Sequence, residues 1–134
     1  MDMQWFVERD ALAAHLGIRL LDAEPGYAKA AMDLTDNLKN GAGIAHGGAI
    51  FSLADLALAV ASNSYGKLCL AVSSTISYIK PGTGETLYAE AREISCGNKM
   101  ATYAVTISND ADEAIAAFQG TVYRKNTPYT KETA

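Results

Sequence analysis

Charge is scarce in this chain. Only 19% of its 134 residues are Asp, Glu, Lys or Arg, with acids outnumbering bases 15 to 11, where soluble domains usually carry about 25%. No basic cluster exists, which argues against a nucleic-acid partner. Cysteine is nearly missing. Cys69 and Cys96 stand alone, too few for a disulfide framework or a zinc site, and are expected as reduced, partly buried thiols. Uninterrupted hydrophobic runs are missing too. The most apolar window, 47–64, carries Asp55 near its middle together with Ser52, Ser62 and Asn63. An acid at a bilayer centre costs ~2.5–3.5 kcal/mol, so no membrane span is expected. The opening residues lack a basic stretch followed by an apolar core, so no signal peptide is expected there. The expected location is the cytoplasm.

What is present suits one domain over residues 1–134. Hydrophobic residues make up 49% of the chain, which excludes a disordered polymer. Gln4 to Leu16 has helical spacing and predicts one amphipathic helix, stopped by Gly17. Ile18–Glu24 and Tyr27–Leu34 flank Pro25-Gly26 as two strands. A polar loop from Thr35 to Ala45 leads to an Ala/Leu-rich segment, apolar nearly all round, that predicts a buried helix over 48–65. Four further strands follow, over 70–79, 86–95, 101–107 and 114–124. A polar, frayed tail is expected from Lys125 onward. One long apolar helix followed by hairpin-linked strands predicts an α+β fold in which an antiparallel sheet of five to six strands wraps the helix.

Two features point to chemistry. Of the 27 residues between Lys39 and Lys67, only Asp55 is formally charged. A carboxylate buried without a partner costs several kcal/mol, so it must find a partner, face a cleft or titrate; a raised pKa would suit a general base or nucleophile. The second feature is His46-Gly47-Gly48 at the helix entrance. Free N–H groups and the helix dipole gather there, glycine admits a substrate closely, and a carbonyl can be polarised. On one helix Gly47 and Asp55 lie ~12 Å apart, too far for both to touch one carbonyl. Acting together, they require two copies of the chain, with the active site at a dimer interface. Asn40, on the preceding loop, is a candidate to donate its amide to the carbonyl or orient water.

The run from Asn40-Gly41 through His46-Gly47-Gly48 to Asp55, continued by Ile76–Gly82 and Ala117–Arg124, resembles PaaI-type hotdog acyl-CoA thioesterases over roughly residues 8–125. The resemblance implies a hotdog fold, homodimers with shared active sites that pair into homotetramers, and hydrolysis of an acyl-CoA thioester with no metal or other cofactor. It implies Asp55 as general base or nucleophile, Gly47 N–H on the carbonyl, Asn40 beside it, and His46 lining the same pocket. Some relatives hold water with a serine on the following strand, where this chain has Ala71, with Ser73 and Ser74 nearby. Phenylacetyl-CoA-like aryl thioesters or medium-chain acyl-CoAs are the expected substrates, and Lys80, Arg92 and Lys99 the nearest candidates for CoA phosphates. The alternative reading is a hotdog module that binds acyl-CoA without cleaving it. A hydratase is less well matched, because the helix carries no His beyond His46.

Overall fold

The computed structural model describes all 134 residues. Six strands form one antiparallel sheet: β1 (Arg19–Glu24), β2 (Tyr27–Asp33), β3 (Lys67–Tyr78), β4 (Thr86–Cys96), β5 (Met100–Ser108) and β6 (Ala114–Pro128). Their order is β1-β2-β4-β5-β6-β3, so β1 and β3 are the edges. Strand burial alternates, as period-2 sequences dictate when one face meets a core. On β5, for example, Ala101, Tyr103, Val105 and Ile107 point inward.

Helix α3 (Gly47–Asn63) lies in the concave face and packs against every strand. Seating it demands room. A Cβ on Gly120 of β6 would stand 2.5 Å from a Leu58 methyl and 3.1 Å from the Phe118 ring. Overpacking of that kind typically costs about 1–3 kcal/mol. The far end of α3 is fastened by Asn63, whose side chain donates to the carbonyls of Ala59 and Cys69 and accepts from the Cys69 N–H. Eleven of its 17 residues are buried. The rest, Gly48, Phe51, Ser52, Asp55 and Ala59 among them, form a stripe at helical spacing that the chain covers only in part. Both cysteines are free, Cys69 buried and Cys96 exposed.

Three expectations need correction. The single helix over 4–16 is two, α1 (Gln4–Glu8) and α2 (Ala11–Leu16). The break comes from Asp10, whose backbone is extended and whose carboxylate accepts from Ala13 N–H at 2.9 Å, capping a new helix. The central helix starts at Gly47 and stops at Asn63, because His46 takes the cap position and Asn63 turns its side chain back on the last turn. The tail is not frayed from Lys125: β6 runs to Pro128, and Tyr129 packs edge-on against Trp5 and Phe6. No helix is long and apolar enough to cross a membrane.

Candidate active site

At the entrance to α3 the His46 imidazole is the cap. Its Nδ1 accepts from the Gly48 N–H at 2.8 Å. That bond takes one of the free amides of the first turn and leaves the Gly47 N–H with no acceptor in the chain. His46 itself is exposed and does not wall the adjacent hollow. Its observed part is to hold the loop and to single out Gly47 as the available donor.

Asn40 is held by its own loop. Its Oδ1 accepts from the Ala42 N–H at 2.9 Å and from the Ile44 N–H at 3.4 Å. Because both partners are donors, the atom facing them must be the oxygen, and the amide Nδ2 has no partner in the chain. Asn40 and Gly47 share the wall of a hollow of about 310 Å³ with Ile50, Tyr78 and Lys80. Two residues with an unpartnered N–H therefore line one cavity at a helix N-terminus, an arrangement able to receive a polarised carbonyl oxygen.

Tyr78 completes this end and was not singled out by sequence. Its hydroxyl donates to the Gly47 carbonyl at 2.9 Å. Its ring lies so close that a Cβ on residue 47 would stand 3.2 Å from it. Any larger residue at 47 would push the Tyr78 ring back by a few tenths of an ångström. No local pattern links positions 31 residues apart in sequence; the nearest signal was a tyrosine ending a strand just before Lys80-Pro81.

Asp55 lies elsewhere, on the open stripe of α3. It lines a second hollow, of about 290 Å³ and mostly apolar, whose walls include Leu58, Ala59, Cys69 and Ala71. On its other side it faces Asp10 and Leu12 of the α2 region. The carboxylate has no hydrogen bond and no ion pair within the chain. Burial, and secondly the charge of Asp10, push its pKa above the usual carboxylate range. Asp10 is thus a second residue sequence reading overlooked; its signal was an Asp directly before a helix. Ala71 presents a methyl group to the Asp55 hollow, while Ser73 and Ser74 do not line it.

One chain therefore brings Asn40 and Gly47 together and keeps Asp55 apart from them. Of the cationic candidates, Lys80 is paired with Glu113 at 2.8 Å and Arg92 with Glu90 at 2.9 Å. No group of three or more His, Cys, Asp or Glu side chains is gathered for a metal.

Residues 42–116 match the thioesterase superfamily. A protein of Archaeoglobus fulgidus named "Putative esterase" is 47% identical over 93% of this chain and 82% of its own length. The Escherichia coli protein named acyl-coenzyme A thioesterase PaaI is 37% identical, over 93% of this chain and 90% of its own. The solved structure of E. coli PaaI superposes with a TM-score of 0.91 at 35% identity, covering 95% of this chain and 93% of that one. A Streptococcus mutans protein solved with acetyl-CoA bound superposes at 0.79 with 27% identity, over 84% of this chain and 91% of that one. A helix wrapped by six antiparallel strands, a helix entrance offering a free N–H, and these likenesses converge: the chain belongs to the thioesterase superfamily, as a PaaI-type thioester hydrolase with the hotdog fold.

Proposed function

We propose that the chain hydrolyses acyl-CoA thioesters, of aryl-acyl or medium-chain type, at sites shared between two copies of itself. The observation that carries this reading is the unpartnered Asp55 carboxylate on the open face of the same helix whose entrance offers the free Gly47 N–H. The E. coli relative's description as an acyl-coenzyme A thioesterase supports the substrate class, as does the acetyl-CoA bound to the S. mutans neighbour.

In the proposed site Gly47 N–H and Asn40 Nδ2–H donate to the thioester oxygen, and Asp55 comes from the partner. Asp55 takes a proton from water as that water attacks the carbonyl carbon. The C–S bond breaks, the electron pair leaves on sulfur, and the thiolate recovers the proton. The same carboxylate can instead attack directly, forming a mixed anhydride that water then opens. Both routes need Asp55 ionised and both are helped by donors that tighten on the developing oxyanion. Pairing each Gly47 with the partner's Asp55 sets the two α3 helices antiparallel, with Phe51, midway between them, at the two-fold axis. The small residues Gly48 and Ser52 on the stripe permit that approach. Two such dimers joining would give the tetramer.

Two measurements test this. Asp55→Asn is expected to lower kcat for thiol release at least about a hundredfold; near-normal turnover would remove Asp55 from the chemistry. Binding of acyl-CoA by the wild type with no thiol release would leave a binding module. Mixing Asp55→Asn chains with Asn40→Asp chains, each inactive alone, should restore up to about a quarter of wild-type turnover, because half the dimers are mixed and each has one intact site. No recovery after verified subunit exchange would rule out a shared site.

A further inference from the structure

The hollow beside Asp55 has a direction. It starts at the carboxylate and follows α3 past Leu58, Ala59 and Ser62 to Asn63. Spacings of three, four, seven and eight residues keep these on one side of the helix. The path from Asp55 to Asn63 is ~12 Å long at 1.5 Å per residue. The near strand, β3, supplies the opposite wall through Cys69 and Ala71.

The end of the path is closed by aromatic rings from outside the sheet. Phe6 of α1 and Tyr129, just past β6, both line it. Their rings meet edge to face at 6.1 Å, and each leans on Trp5, at 5.8 and 5.4 Å. Tyr129 is fixed in turn by its N–H, which donates to the Gly66 carbonyl at 2.8 Å.

The polar groups along this path are already spent. Ser62 Oγ donates to the Ala59 carbonyl, and both ends of the Asn63 amide are used on the backbone of Ala59 and Cys69. Past Asp55 the side chains lining the hollow offer a guest apolar contact, and the Tyr129 hydroxyl at its far end is the one polar group among them without a partner. About 290 Å³ of apolar space, elongated, with a carboxylate at one end and an aromatic stop at the other, fits the hydrocarbon part of an acyl group whose carbonyl sits at the carboxylate. A ring on a short spacer would fill the near half and leave the far walls without contact.

Resting on the thioester reading above, we propose that this hollow takes a straight medium-chain acyl group, and that Phe6 and Tyr129 set its maximum length. The test compares kcat/KM for saturated acyl-CoAs from acetyl to palmitoyl, and for phenylacetyl-CoA, in the wild type, Tyr129→Ala and Ala59→Leu. Leucine at 59 keeps a strong helix former on a partly open position. Within each protein the ratio between chain lengths is independent of how much enzyme is folded. The wild type should gain about fourfold per added methylene up to a medium-chain optimum, then fall. Tyr129→Ala should move that optimum to longer chains and Ala59→Leu to shorter ones. An optimum unmoved in both variants overturns the hollow as the acyl site and leaves the thioesterase reading standing. Phenylacetyl-CoA outrunning every straight chain likewise overturns the straight-chain assignment alone. No turnover of any acyl-CoA by the wild type overturns the thioesterase reading, and this assignment with it.

Discussion

The two edges of the sheet are built by opposite rules. β1 is six residues long, is broken by an irregularity between Leu20 and Asp22, and carries Arg19, Asp22 and Glu24. Arg19 is tied to Asp33 on the neighbouring strand at 2.8 Å. β3 is 12 residues long and carries one charge, Lys67, at its start; its pairing with β6 shifts register twice, so irregularity is common to both edges and charge is what separates them. Leu70 and Val72 stand about half exposed on it, at 51% and 57%. Charges are one way in which proteins stop an edge from recruiting another strand. β3, long and with a single charge at its start, lacks that guard. β3 also walls the Asp55 hollow, so the permissive edge and the proposed catalyst share one side of the molecule.

Each edge has its carboxylate, and the two are tuned in opposite directions. The Arg19 and Thr86 hydrogen bonds hold Asp33 below the usual carboxylate range. Burial and the Asp10 charge hold Asp55 above it. The linkage signs follow. Asp33 contributes stability above its unfolded pKa and loses it as pH falls through the lower folded value. Asp55, raised on folding, favours the folded state only when protonated, and that contribution is lost as pH rises through its folded value. The guarded edge is stabilised by its ionised acid, whereas the open side gives up stability to keep one.

The largest effect expected is from breaking the contrast outright. Leu70→Glu with Val72→Glu gives β3 the charges of a guarded edge. Sedimentation should then report monomer, and thiol release should fall at least about a hundredfold as shared sites separate. A stable dimer with full activity would show that β3 is not the seam. A smaller effect comes from Asp10→Asn, which keeps the α2 cap because Asn caps as well as Asp. Removing the neighbouring negative charge favours ionised Asp55, so the acid limb of the pH–rate profile should move to lower pH. A shift to higher pH would contradict the charge assignment. The smallest effect belongs to Arg19→Ala on the guarded edge, whose exposed ion pair is expected to shift Tm by less than about 4 °C and to leave assembly unchanged.

Where the chain repeats itself at short range, it could be read directly. The alternation of Ala101, Tyr103, Val105 and Ile107 became β5, and the Ala/Leu-rich run became α3. Asp55 stood out by simple contrast, one charge in a long neutral stretch. Features resting on one side chain, or on two segments meeting, were hidden. The Asp10 cap divides a helical pattern that hydrophobic spacing alone continues through. Tyr129 looks like part of a polar tail until Trp5 and Phe6 arrive beside it. Tyr78 shows nothing of its contact with Gly47, because strand sequence reports which face a residue takes and not what waits there. His46 was expected in a pocket wall, but the local bond to Gly48 claims it first.

The Asn40 loop separates two kinds of selection. Its turn uses only the side-chain oxygen, which aspartate supplies equally well. A library randomised at position 40 and sorted for folded protein will therefore retain Asn and Asp together. Sorted for turnover it will divide them, because only Asn has an unpartnered N–H to give. In the proposed site, thermal melting and catalysis read different atoms of the same residue.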